Sequence, residues 1–549
     1  MIPATCLWDK LQSLAEYSKH ALAAEIRRLA HLTPGSLKKE LESKIYAPIN
    51  RIPDNLLSDI FLLGLQDDHE DDEHFEFPQR HQGLISRVCY HWKSVIEHTP
   101  LAWANITVLD RQPFTTTKRF LTFSRKCLIN VTIGWGGSPS YGDNAYNIDE
   151  MDHLFTLLLP EAYRWQSLYI AVVEYSLMFH IVQRLQLVAA PNLSLLVLGN
   201  CRVKRADDVF TPVRFLPKHK LFQSSPGAPV LRDVDLYAVH VDWSSSFLSS
   251  SLRSLTLSAH AFDVRPEPQR FFDILAGCSE SLEAFILDDS GPALRHDEDW
   301  GPYVSQKIEL PKLRTLKVAL VPPRHALGIF NMIVARNVTE LTLNFEIWTT
   351  EAEWNGLIKQ LCTGSDNSME PMFPALLSLR LLSLPAEPMY LGTLLFYYPT
   401  ITYLVVNFKY GYDALLDTLG NPIHKSALPP SELPGWATAF HSRVMQYQGK
   451  HMEGDQMTEE SVRHALWVCP KLQWLKVYGF RGKQMRLLVA GRKEGGVPLK
   501  EVWYAHTCSV NVPDRAWLKA TLEVFREFTD DTHEDDGGFT DDGSYYGDD

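Results

Sequence analysis

The sequence is poor in cysteine, short of positive charge, and without a long apolar run. Its eight cysteines lie far apart, at positions 6, 89, 127, 201, 278, 362, 469 and 508, and none forms a C-x-x-C pair. They read as scattered core thiols of a reducing compartment, and a disulfide framework is not expected. Lys and Arg number 53 against 66 Asp and Glu, a formal net charge of −13. That balance disfavours a general nucleic-acid binder, which needs a basic field for phosphates. No stretch reaches the ~18 apolar residues of a membrane span. The nearest, residues 176–198, is broken by His180, Arg184 and Pro191. Residues 1–10 lack the basic flank and apolar core of a secretion signal, so a cytoplasmic or nuclear location is expected.

Motifs of local chemistry are equally scarce. There is no G-x-x-x-x-G-K-[ST], no G-x-S-x-G, no H-E-x-x-H and no kinase set. The glycine-rich residues 134–139 follow a strand and lead into Pro139 and Tyr141 rather than a helix, so they read as a surface turn. The acidic run from Asp67 to Glu76, with His69, His74 and the nearby His81, lacks bracketing structure and reads as a solvated loop. Asp535, Asp536, Asp541 and Asp542 lack the ordered loop of a calcium site. Neither a cofactor nor a metal is expected, and the chain is not expected to be an enzyme. A catalytic dyad assembled across the fold would leave no local mark.

What the sequence does hold is helical pattern followed by repeats. Leu11, Leu14, Leu22, Ile26 and Leu29 form an apolar stripe, interrupted at Pro34-Gly35 and resumed at Leu37, Leu41 and Ile45. Residues 1–46 thus read as an amphipathic helical segment, the stripe being short for a coiled coil. Pro53 and Asp54 open a helix over residues 54–65. Leu56, Ile60 and Leu63 share one face of it and Leu57, Phe61 and Leu65 lie beside them, so the helix needs cover on two sides. After the acidic insert 67–80 comes a second helical pair, with Leu84, Ile85 and Val88, then Trp92, Val95 and Ile96.

From residue 109 to 528 an apolar L-x-x-L-x-L segment recurs. Copies end at Leu198, Leu257, Leu287, Val318, Leu343, Leu381, Val406, Val477 and Tyr504. Between them lie helix-period segments at 176–187, 269–276, 326–335, 351–362, 388–397 and 459–468. Strand, loop and helix repeating every ~20–40 residues predict an α/β solenoid, an irregular leucine-rich-repeat horseshoe with a parallel sheet and helices behind it. Residues 407–456 break the pattern and read as an insertion with a helix near 437–448. Residues 512–528 read as a closing helix, and the acidic residues 529–549 as a disordered tail.

One block of the chain resembles a known family. Ile49-Asn50-Arg51-Ile52-Pro53-Asp54-Asn55-Leu56-Leu57-Ser58-Asp59-Ile60-Phe61 resembles the opening of the F-box-like domain of large fungal families, a Pro-Ile-Arg-Leu-Pro-x-Glu-Ile-Leu-x-x-Ile-Phe line. Val88-Cys89-Tyr90-His91-Trp92 is similar to that family's Val-Cys-x-x-Trp, and Thr99-Pro100-Leu101-Ala102-Trp103 to its Thr-Pro-x-Leu-Trp. The resemblance makes residues 47–108 an all-α F-box-like domain preceding the repeats. It implies a substrate-receptor subunit of a Skp–cullin–F-box ubiquitin ligase, monomeric within that complex. Ile52, Pro53, Leu56, Leu57, Ile60 and Phe61 would contact the Skp-type adaptor, Val88 and Trp92 would hold the helices in register, and the repeats would hold an unknown target protein. Such a receptor raises the effective concentration of target lysines and needs no catalytic residue. The alternative is a leucine-rich-repeat scaffold without ligase association.

Overall fold

The computed structural model describes residues 52–66, 80–134, 146–201, 209–248, 251–294, 300–301, 306–345, 351–364, 370–382, 388–407, 412–422, 467–506 and 508–528. The expected helices within 1–46 and at 437–448, the acidic insert, nearly all of the helical segment at 459–468 and the tail 529–549 lie outside the described residues. Contacts divide the chain into two units: Met1–Arg202, Pro217–Arg232 and Ser245–Phe247 in the first, Val203–Leu216, Asp233–Ser244 and Leu248–Asp549 in the second.

The first unit begins with helices α1 (Asp54–Gln66), α2 (Arg80–Val88) and α3 (Tyr90–Glu97) and a 3-10 turn, Pro100–Trp103. Strands and helices then alternate: β1 (Asn105–Val108), α4 (Thr115–Phe123), β2 (Ile129–Ile133), α5 (Ile148–Leu158), β3 (Trp165–Val172), α6 (Tyr175–Leu185) and β4 (Leu195–Asn200). β1 to β4 pair in chain order, all parallel. β1 therefore belongs to a sheet, although residues 105–108 fall inside the segment expected to be all-α.

The second unit carries β5 (Asp233–Tyr237), β6 (Ser254–Ser258), α7 (Pro268–Gly277), β7 (Ala284–Asp288), β8 (Ile308–Glu309), β9 (Thr315–Ala319), α8 (Pro323–Met332), β10 (Ile333–Val334) and β11 (Glu340–Asn344). It continues with α9 (Glu351–Thr363), β12 (Ser378–Leu382), α10 (Pro388–Tyr397), β13 (Tyr403–Asn407), α11 (Tyr412–Gly420), β14 (Trp474–Tyr478), α12 (Gly482–Glu494), β15 (Glu501–Ala505), α13 (Val512–Thr521) and β16 (Val524–Phe528). β8 and β10 form a separate parallel pair. The other strands pair in chain order, all parallel, from β5 to β16.

All nine expected L-x-x-L-x-L copies lie in these parallel strands. Their leucines are the core: Leu193, Leu196, Leu198, Leu313, Leu316, Leu376, Leu379, Leu472 and Leu475 are all buried. In most strands the second and fourth residues are buried and the first and third are more exposed, as the two-residue period requires; in β2 the first, third and fifth are the buried ones. Phe271 of α7 meets Phe285 of β7 at 6.1 Å between ring centroids, and Trp354 of α9 meets Phe345 at 4.3 Å.

A backbone device repeats at the strand ends. Ala238, Ala259, Asp289 and Leu320 directly follow β5, β6, β7 and β9, each at φ near +50°. Their amides donate to the last carbonyl of the next strand, Ser258, Asp288, Ala319 and Asn344, at 2.7–2.9 Å. The left-handed turn costs these non-glycine residues some strain, and the extended ladder offsets it.

The closing segment differs from expectation. Residues 512–521 form α13, but 524–528 form β16, paired in register with β15. Val524–Phe528 carries no apolar alternation of its own, and its extended form comes with pairing to β15. Helix α8 likewise ends at Met332, where Ile333 and Val334 turn extended to pair with β8.

Candidate functional site

Helix α1 is where sequence pattern and geometry meet. Pro53 starts it, and its carbonyl accepts from the Leu57 amide at 3.0 Å. Its inner face is closed by its own unit. Leu57 and Phe61 are buried, and the Phe61 ring lies 5.1 Å from that of Trp92 on α3. Ser58 Oγ and Thr99 Oγ1 are 2.8 Å apart, and Thr99 Oγ1 donates to the Val95 carbonyl at 2.8 Å. Cys89 caps α3, its sulfur accepting from the Trp92 amide at 3.4 Å.

The outer face is open. Leu56, Ile60 and Leu63 are exposed by 50%, 44% and 62%, three aliphatic side chains at i, i+4 and i+7 on one helical stripe. Pro53 is exposed and Ile52 half-buried. Val88, expected to hold helices in register, is instead 46% exposed, and Tyr90 beside it is exposed as well. Of the eight residues expected at the site, Leu57, Phe61 and Trp92 are therefore core. Pro53, Leu56, Ile60 and Val88 are presented to solvent. Leu63 and Tyr90 were not counted among the contact residues, although Leu63 stands at the next helical repeat of the Leu56–Ile60 stripe.

The helical part is fixed to the 3-10 turn and to α4 that follow it. Gln82 Nε2 donates to the Ala102 carbonyl at 2.9 Å, and Trp103 Nε1 to the Ile96 carbonyl at 2.8 Å. The Trp103 ring meets Phe120 and Phe123 of α4 at 4.9 and 4.8 Å, and the Arg119 guanidinium lies 5.1 Å over it while pairing with Glu97 at 3.2 Å. The stripe is thus carried on a rigid support.

The second unit holds the arrangement closest to acid–base chemistry. His260 Nδ1 and Ser290 Oγ are 2.9 Å apart, and His260 Nε2 is 3.0 Å from the Val239 carbonyl. A carbonyl only accepts, so Nε2 carries the proton and Nδ1 accepts from the serine hydroxyl. Both side chains are buried, which bars a substrate. The pair ties together the turns after β5, β6 and β7. Next to it His325 is held neutral, its pKa pushed down to about 3 by burial and, secondarily, by Arg265. Arg265 pairs with Asp289 at 3.3 Å and donates to the His260 carbonyl at 2.9 Å.

The sheet of the second unit offers a different surface. Its odd strand positions, facing away from the helices, form rows across neighbouring strands. Over β5 to β7 they carry Asp233, Asp235 and Asp288; over β12 to β16 they carry Arg380, Lys476, Arg526, Tyr403, Trp474 and Trp503. Among the described residues no helix is long and apolar enough to cross a membrane. No protein-family model matches the chain, and no curated protein matches it.

Proposed function

We propose that the chain is the substrate-receptor subunit of a Skp–cullin–F-box ubiquitin ligase, acting in the cytoplasm or nucleus. The α1–α3 helices form an F-box-like domain that docks on the Skp-type adaptor, and the repeats form a leucine-rich-repeat solenoid that holds a target protein. The observation that carries this reading is the outer stripe Leu56, Ile60 and Leu63 on a helix whose inner face is already closed by Trp92. A solvated helix gains nothing from three exposed aliphatic residues in line, whereas a partner covering them gains ~25 cal/mol per Å² before association costs. The three ordered sequence blocks of the F-box resemblance name that partner, and Pro53 and Val88 extend the contact. Leu57, Phe61 and Trp92 act by holding α1 in place. The chain supplies proximity and makes or breaks no bond.

The test is capture of a Skp-type adaptor by the full-length chain at micromolar concentration. Leu56→Asp combined with Ile60→Asp is expected to abolish capture while the circular dichroism spectrum is unchanged, because neither side chain packs inside. If the unsubstituted chain captures no adaptor, the ligase reading fails and a leucine-rich-repeat scaffold takes its place.

A further inference from the structure

The parallel strands of the first unit begin at one end of their sheet, and exposed apolar side chains gather there. Leu128 directly precedes β2, Tyr163 stands just before β3, and Leu187 follows α6 on the way to β4. Val230 lies near the end of the segment Pro217–Arg232, which belongs to the same unit. All four are exposed, Leu187 by 78%. Hydrogen bonds hold these segments against one another. Arg164, next to Tyr163, donates from Nη1 to the Cys127 carbonyl at 3.1 Å, and Asn192 Nδ2 donates to the Tyr163 carbonyl at 2.7 Å. Ser224 Oγ donates to the Leu187 carbonyl at 2.9 Å, and the Arg232 amide to the Ser194 carbonyl at 2.9 Å. The four side chains therefore share one rim, which crosses roughly 15 Å at ~4.8 Å per strand.

The available charge of this rim has one sign. Arg125, Lys126 and Arg232 are exposed beside the apolar side chains, and among the described residues no carboxylate pairs with them. Glu161 is the one carboxylate of segments 124–128, 159–164, 186–194 and 223–232, and it is taken by Arg164 at 2.7 Å. In a chain of formal net charge −13 this is a local reversal. Aliphatic and tyrosine side chains in line gain nothing from water, and a cover for them has to match the cations. A second copy meeting this rim with its own would set cation against cation, so a symmetric dimer is a poor occupant.

We propose that this rim docks an acidic amphipathic segment of a partner protein, with the segment's apolar side chains on Leu128, Tyr163, Leu187 and Val230 and its Asp or Glu on the flanking cations. About ten residues of helix span the ~15 Å of the rim. The apolar contacts exclude water from the neighbouring ion pairs and so strengthen them. The surface shares no residue with the α1 stripe, and it stands whether or not α1 meets an adaptor.

Selection of displayed random peptides of about twelve residues tests this. The full-length chain, its Leu187→Asp and Arg232→Glu variants, and the α1 variant Leu56→Asp with Ile60→Asp are screened in parallel. Neither Leu187 nor Arg232 is buried, so the circular dichroism spectra of the rim variants should match that of the unsubstituted chain. A set of peptides should fall about tenfold in enrichment with both rim variants and persist with the α1 variant. Those peptides should combine Asp or Glu with Leu or Phe at helical spacing, and their affinity for the full-length chain should drop several-fold between ~0.05 and ~0.5 M salt. The proposal is overturned if no peptide depends on the rim, or if the dependent peptides carry no acidic residue. Co-sedimentation with vesicles of phosphatidylcholine and phosphatidylserine, lost with the same two rim variants, would overturn it too, by assigning the rim to an anionic membrane surface.

Discussion

The rings of Phe61 and Trp92 meet at 5.1 Å with a 59° tilt, and this contact decides which side of α1 remains available. Truncating the inner side should cost stability. Phe61→Ala is expected to lose ~3–5 kcal/mol and Leu57→Ala ~2–5 kcal/mol, against ~0.5 kcal/mol or less for Leu56→Ala and Ile60→Ala. Urea denaturation of the full-length chain measures all four, and equal losses on both sides would show that the outer stripe is also covered.

Arg492 is buried without a carboxylate. Nε donates to the Val497 carbonyl at 3.1 Å, Nη1 to Leu419 and Val468 at 3.2 Å each, and Nη2 to Cys469 at 2.8 Å. Burial lowers its pKa to about 10, which leaves it charged at neutral pH. Lysine offers a single point of attachment and cannot serve four carbonyls. Arg492→Lys is therefore expected to destabilise by ~2–4 kcal/mol, since several carbonyls lose their donor. A melting temperature unchanged by that substitution would contradict the clamp.

Helices α11 and α12 touch backbone to backbone. A methyl group added at Gly491 would fall inside the contact radius of the Gly420 carbonyl oxygen, and one at Gly420 would lie 2.9 Å from the Leu488 Cα. Gly491→Ala should cost ~1–3 kcal/mol in spite of alanine's better helix propensity, because the helices must part. A gain in melting temperature would mean that propensity outweighs the clash.

Two groups, one half-buried on the sheet face and one in the core, set opposite pH limits. Burial pushes the Asp235 carboxyl up to about 7, while in the unfolded chain it titrates near ~3.9. Its contribution to stability is intact below the unfolded value and is lost as pH rises toward 7. Asp235→Asn should thus stabilise by ~1–3 kcal/mol at pH ~8 and change little at pH ~4. His325 is pushed down to about 3, against ~6.5 unfolded. Its contribution is intact above ~6.5 and is lost as pH falls toward 3. His325→Gln should flatten the acid limb of a stability–pH profile, and a profile as steep as that of the unsubstituted chain would remove His325 as its cause.

The repeat leucines were legible because burial in a parallel sheet writes the same apolar spacing into every copy. Residues 193–198, 313–318 and 472–477 need no knowledge of their neighbours to declare which side chains are core. β16 was not legible as a strand: Leu518, Leu522 and Phe525 fit a helical period, and only the edge of β15, with Trp503 opposite Arg526, selects the extended form. The left-handed residues Ala238, Ala259 and Leu320 were also hidden, since none belongs to a type that favours that conformation and each is held there by a carbonyl of the next strand.

By itself the sequence determined the alternation of strands and helices, their parallel pairing and the apolar character of α1, because hydrophobic period and turn residues act over a few neighbours. Tertiary structure alone decided which face of α1 is spent. Leu56 and Leu57 are chemically identical and adjacent, and the position of Trp92, thirty-six and thirty-five residues further along the chain, makes one surface and the other core. It likewise decided that Arg380, Lys476 and Arg526 share one row, since parallel register brings together side chains that no local spacing relates.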